Sequence, residues 1–479
     1  MPVSRRARST RPRRRCSNCL AARLARSPTL SAAAGPSRAS LISMRAALRP
    51  DRRLPFGMGT VVMVVIAAMV VSIGAVLAHK SDTPQRQPYG FGQLRSYAGG
   101  PPDTAWTRGI DDLPGFSSSG GSVTVADTHG GTWLLAYPSG LGRAFLAVDR
   151  RDGAPRWDKP VTVGLGSCAF NGVGQVACAI KVGNVPDGYY LVDEGSGELG
   201  PAQPLQDTGR MIGVGKDFIR VDQLGYRVSA TGPDGATRWS RTFADSAFPS
   251  YLAEADLVDV RLADASHVLV DPHTGDTKLS CGPCTVSAYP TGLAISHAGD
   301  AGVIDFYGFH NGKLVPKPTH TSRSMTVFGG PDVLPVVGGT GLATVNQTHG
   351  RFEVRDPAKA QGLWSVDDDE LSKARPMACG KLVAFARKDG TRDVMRLDSK
   401  GTVVGHLPAN DRQRPDTNLA ELRCVGSYGT VIVAANDNQI TAFDGDTGKI
   451  AWEFPINGTA SNVAGHIVVR QGATISLLR

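Results

Sequence analysis

The most constraining feature is a spacing that returns along the chain. Near the C-terminus, Ala442–Phe454 reads AFDGDTGKIAWEF: Asp444 ends an apolar strand, Gly448 closes a turn, and Trp452 follows four residues later. Each position has a physical reason. An aspartate at a strand end accepts hydrogen bonds from the amides of the following turn. A glycine takes the positive-φ position that closes a hairpin. An aromatic four residues on points to one face of the next strand and packs on a neighbouring sheet.

The second full copy is AVDRRDGAPRW, with Asp149, Gly153 and Trp157. ATGPDGATRW keeps Gly235 and Trp239, with Thr231 at the aspartate position. VRDPAKAQGLW keeps Asp356 and Trp364, with Ala360 for glycine, and LVDPHTGDTKL keeps Asp271 and Gly275, with Leu279 for the aromatic. LVDEGSGELG keeps Asp193 and Gly197 and loses the aromatic. Degenerate copies surround Asp398 and Gly401, and the weakest surrounds Gly312. From about Ala105 onward the apolar runs are short and stop at Gly, Asp, Asn or Pro, with no sustained helical period. Turn glycines recur every ~40 residues, the length of one four-stranded unit. Such a unit has an unburied face, so the units must stack, and closing a ring protects their edges.

These motifs resemble the repeat of the pyrroloquinoline-quinone-type (quinoprotein-like) β-propellers over roughly residues 105–479. The resemblance implies an all-β propeller of seven or eight blades. It does not imply a bound quinone, since many such propellers are binding scaffolds. The chain ends in HIVVRQGATISLLR without a further turn, and the domain begins with an isolated strand carrying Trp106. The N-terminal strand is therefore expected to complete the last blade. Eight turn copies plus this composite would make nine units, so at least one copy is expected to be accidental. Eight four-stranded blades is the preferred count, with seven the alternative.

Upstream, the segment before residue 54 holds 14 arginines, no lysine and one acid, Asp51. The remainder carries 38 basic and 42 acidic residues, so the main domain is mildly acidic and the net charge of +9 gives no support to nucleic-acid binding. Residues 1–57 read as a disordered basic tail, with Met44 or Met58 as alternative starts. Cys16 and Cys19 have half a zinc spacing without further ligands nearby. Met58–Ala78 has no charged residue and is long enough for a transmembrane helix. Arg45, Arg49, Arg52 and Arg53 precede it, which places the N-terminus in the cytoplasm and the large domain outside. A retained anchor is preferred to a cleaved signal peptide because the apolar run exceeds a usual h-region. Residues 79–104 read as a linker.

Six cysteines follow the apolar segment, an even number suited to disulfides in an oxidising compartment. Cys168 and Cys178 flank a symmetric hairpin, and Cys379 and Cys424 sit at matching points of consecutive repeats. Cys281-Gly-Pro-Cys284 is the string of thioredoxin active sites, whose chemistry needs a helix N-terminus. No helical pattern follows, so a local disulfide or two surface thiols is expected.

A quinoprotein dehydrogenase, by resemblance, would carry adjacent cysteines, a calcium site and an aromatic floor. No two cysteines are adjacent, and of six tryptophans only Trp133 lies outside the repeat positions and Trp106. Trp133 reads as core. The histidines have no metal-binding spacing, and Asp367-Asp368-Asp369-Glu370 reads as a solvated loop. No catalytic residue, cofactor or metal site is assigned. The expected function is a membrane-anchored, extracytoplasmic binding scaffold of a bacterial envelope, with a protein, peptide or glycan ligand. A quinone-dependent enzyme with a degenerate site is the alternative.

Overall fold

The computed structural model describes residues 92–479 apart from 96, 98, 118–120, 202–206, 299–301, 329–331, 340–346, 399, 408–421 and 448. The basic tail, the apolar span Met58–Ala78 and most of the linker lie outside the described residues, as does Gly448. Among the described residues, no helix is long and apolar enough to cross a membrane. Among the described residues, all of the regular structure is β apart from one short 3-10 turn, Ile110–Asp112.

Strands pair antiparallel in quartets, each in sequence order. The first quartet is Thr124–His129, Thr132–Ser139, Gly142–Asp149 and Val161–Gly164. The second has three strands, Ser167–Phe170, Val176–Ile180 and Gly188–Val192, with a single bridge from Val192 to Leu199 in the fourth position. The third is Thr208–Val214, Asp217–Asp222, Arg227–Thr231 and Thr237–Thr242. The fourth begins Ala247–Leu252, Leu257–Leu262 and Ser266–Val270. Its last strand is the first half of the long strand Thr277–Tyr289, whose second half opens the fifth quartet by pairing with Gly292–His297. Four-stranded sheets then follow over Met325–Asp367, Met377–Leu407 and Arg423–Pro455.

The last unit is composite. Thr104–Gly109 pairs with the C-terminal strand Thr474–Leu478, Thr107 opposite Ser476. The N-terminal strand therefore completes the final sheet.

Hydrogen bonding yields eight sheets. Counted as quartets there are nine, because one sheet is eight-stranded and holds the fourth and fifth units on their shared strand. The sheet count among the described residues agrees with the expected eight, and the ninth turn unit is accommodated because the fourth and fifth units share one strand. Even the weakest copy, at Gly312, follows the third strand of its quartet, Ile304–His310.

The second strand of each quartet is buried on both sides, and its alternation serves two neighbours at once. In His466–Gln471, Ile467 and Val469 pack with the eighth quartet, while Val468 packs with the first. In Val431–Ala435, Ile432 and Ala434 face the seventh quartet, and Val433 and Ala435 face the ninth. The packing is cyclic. Trp106 and Ile475 of the last unit join Trp133 and Val148 of the first in one core. The quartets are thus the blades of a propeller.

Candidate functional site

Antiparallel alternation gives the ring two ends. First-to-second and third-to-fourth turns emerge at one end, here the turn end. Second-to-third loops and quartet-to-quartet links emerge at the other, the link end. Cross-quartet hydrogen bonds stitch each. At the turn end, Gly172 N–H donates to Gly215 O and Val333 N–H to Gly380 O. Residues 92–95 run along this end, with Leu94 N–H on Ser427 O at 2.9 Å and Arg95 N–H on Gly465 O at 2.9 Å.

The repeat residues all build the turn end. Asp149 accepts from Arg151 N–H, Asp271 from His273 and Thr274, Asp356 from Ala358, and Asp444 from Asp446. The Ser196 hydroxyl and amide hold the Asp193 carboxyl below its usual range. Gly153, Gly197, Gly235 and Gly275 have φ between +68° and +77°. Three of these glycines do more than close a turn. A Cβ on Gly153, Gly197 or Gly275 would lie 2.7 Å from Trp106, Trp157 or Trp239 of the preceding quartet. Each indole also donates to a carbonyl in the turn it covers: Trp106 to Arg150, Trp157 to Glu194, Trp239 to Pro272 and Trp364 to Leu397. Trp452 donates instead to Tyr97 O, so Tyr97 takes the place that a turn carbonyl holds for the other indoles. This interlock holds neighbouring quartets together and offers no reacting group.

The six cysteines form three disulfides. Cys168–Cys178 is a cross-strand pair in the second quartet, and Cys379–Cys424 joins the seventh quartet to the eighth. Cys281–Cys284 bridges the point where Thr277–Tyr289 passes from the fourth quartet to the fifth. Its Cα atoms are 6.3 Å apart, a turn-like separation. Cys284 N–H donates to Ala265 O, and Ala298 N–H donates to Pro283 O. The pair lies in a strand, without the helix N-terminus that activates a thioredoxin thiol.

Several other titratable groups are paired locally. His267 bonds Asp259 at 2.8 Å, His297 bonds Asp305 at 2.9 Å, and His406 bonds Asp393 at 2.6 Å. In the acidic run, Asp367 pairs with His349 and Arg351, and Asp369 with His349. No group of three or more His, Cys, Asp or Glu among the described residues could hold a metal. Trp133 is fully buried, edge-on to Trp106 and His466. Burial, with Arg95 and Arg150 nearby, depresses His466 to about 4.

What stands out is apolar surface at the link end. Leu141 is 99% exposed, Leu224 77%, Val182 67%, Leu165 64% and Tyr226 42%. All five lie on link-end loops of the first three quartets, and those loops touch in series. Gly142 abuts Gly164, and Leu165 N–H donates to Lys181 O at 2.8 Å. Lys181 Nζ donates to Gln223 O at 3.0 Å, and Phe243 N–H to Tyr226 O at 2.9 Å. The loops are braced: Val182 N–H donates to Asp187, and Tyr226 N–H to Asp222.

Val182 sharpens the point. It holds φ +59°, a region that a β-branched residue enters only under strain, yet its side chain gains no burial in return. Turn residues of this kind are normally polar or glycine, whereas burying one Leu or Val is worth ~1.5–3 kcal/mol. Several such side chains share the link end of three consecutive quartets. The sequence reading missed this row, although a signal was present: Gly140-Leu141-Gly142 and Gly164-Leu165-Gly166 both set a leucine at a turn between glycines.

No family model and no curated protein matches the chain. Among solved structures, BamB from Moraxella catarrhalis is similar at 13% identity and TM-score 0.39, over 79% of this chain and 97% of that one. A quinohemoprotein alcohol dehydrogenase from Comamonas testosteroni is similar at 12% identity and TM-score 0.35, over 78% and 76%. The computationally designed protein Ika8 is similar at 13% identity and TM-score 0.40, over 78% and 99%.

Proposed function

We propose that the chain is a non-catalytic binding scaffold of a bacterial cell envelope, anchored by Met58–Ala78 with its propeller outside the cytoplasm. The link-end row of Leu141, Leu165, Val182, Leu224 and Tyr226 carries this reading. It is exposed, contiguous through backbone contacts and held on braced loops, which is how a surface is prepared for a protein partner. The uncharged span after an arginine cluster supports the anchor, and three disulfides suit an oxidising compartment.

The test is in-cell photo-crosslinking from Leu141 and Leu224, with Val403 and Tyr428 at the turn end as exposed apolar controls. A single partner captured from the row and not from the controls is expected. Identical capture from both ends, or none from the row, overturns the docking site. Full-length protein recovered with bound quinone and oxidising alcohols would overturn the scaffold reading. A mature N-terminus at His79 would overturn the anchor.

A further inference from the structure

The docking row is flanked by cations that form no salt bridge among the described residues. Arg143 is exposed and lies across from Gly164, the residue before Leu165. Lys181, bridged to Gly164 from the other side, spends its ammonium on the Gln223 carbonyl. At the far end, Ala247 N–H donates to Gly225 O, between Leu224 and Tyr226, and so places Phe248 beside the row. Arg210 sits 4.8 Å from the Phe248 ring centroid and Arg261 5.2 Å from it.

The carboxylates of the same end are engaged. Asp187 accepts from Val182 N–H and Gln223, Asp207 pairs with Arg227, and Asp222 accepts from the Tyr226 and Arg227 amides. Asp245 accepts from Ser246 and Asp264 from Ser266. These acids keep the face from being strongly basic overall, so recognition rests on the unpaired donors rather than on a long-range field.

We propose that the occupant is an extended, acidic and apolar peptide segment of a partner protein. Its leucine-type side chains would cover Leu141, Leu165, Val182, Leu224 and Tyr226. Its carboxylates would meet Arg143 at one end, Lys181 in the middle and the Arg210–Phe248–Arg261 stack at the other. Guanidinium groups stacked on a ring are held in plane and present paired donors that match a carboxylate. The row together with its flanking cations runs across four consecutive quartets. At ~10 Å between packed sheets and ~3.3 Å per extended residue, it fits a segment of about nine residues. An anionic bilayer is disfavoured because Arg210 and Arg261 are fixed against an aromatic ring on strands, not on protruding loop tips.

This inference rests on the docking reading above, and the experiment separates the two. Full-length protein is titrated with a fluorescent nonapeptide alternating leucine and aspartate, with its leucine–lysine counterpart, and with phosphatidylglycerol vesicles. The acidic peptide is expected to bind at least tenfold more tightly than the basic one. Arg143→Ala with Arg261→Ala should remove that preference, and Leu141→Asp with Leu224→Asp should abolish binding. Equal affinity for both peptides, each lost in the leucine variant, would overturn the acidic occupant and leave the docking site standing. Binding of either peptide unaffected by the leucine variant would remove both. Sedimentation with vesicles that depends on Leu141 and Leu224 would overturn the peptide in favour of a membrane surface.

Discussion

Asp332 gives a prediction whose size can be worked out. It lies in the turn between Met325–Phe328 and Val336–Gly339, is 2% exposed, and neither carboxyl oxygen has a hydrogen-bond partner. Burial pushes it up from 3.8 to about 8. In the folded chain at pH 7 it is protonated, whereas in the unfolded chain it is ionised. A carboxyl raised in the folded state supports folding fully below 3.8, and that support is lost as pH climbs through 8. Between pH 3 and pH 7 the loss approaches ~4 kcal/mol, at ~1.4 kcal/mol per unit. Asp332→Asn has the same size and no titration. Urea unfolding of both proteins from pH 3 to pH 8 should show equal pH dependence below pH 4. Above that, the variant should gain on the parent by ~1.4 kcal/mol per pH unit up to pH 7. A stability difference that stays constant from pH 4 to pH 8 would refute the reasoning.

Two further outcomes test how the ring is held. Gly275→Ala places a methyl 2.7 Å from Trp239 at φ +75°; left-handed strain and overpacking together should cost ~2–4 kcal/mol, read as a lowered thermal midpoint. Replacing Cys379 and Cys424 by serine opens a connection 45 residues apart and should cost ~4 kcal/mol, against ~3 kcal/mol for Cys168 and Cys178, 10 apart. Paired urea midpoints in the opposite order would contradict the loop-closure argument.

The repeat was legible because its signal is local. Asp149 and Gly153 act within their own turn, and the cross-strand pairing of Cys168 with Cys178 follows from hairpin symmetry. What Trp157 does was only half legible: its packing on a neighbour could be inferred, but the Gly197 that makes room for it lies 40 residues away in another quartet. The sharing of one strand by two units was not legible, because Thr277–Tyr289 runs from one to the next without a break and no turn in the sequence announces the change. The exposed link-end row was only faintly legible for a related reason. Leu141, Val182 and Leu224 are far apart in sequence and become neighbours only when link-end loops of successive quartets are stitched together. A leucine in a turn reads as unremarkable alone; three such turns side by side do not.

The central claim is that the link-end row is covered by a partner. Full-length protein extracted from cells in mild detergent, compared with Leu141→Asp/Leu224→Asp by native mass measurement, tests it most directly. Both side chains are exposed, so the two proteins should share one thermal midpoint. The account predicts that the parent is recovered in a discrete complex with another protein and the variant without it. Recovery of both in the same complex, or of both as the bare chain, would contradict it.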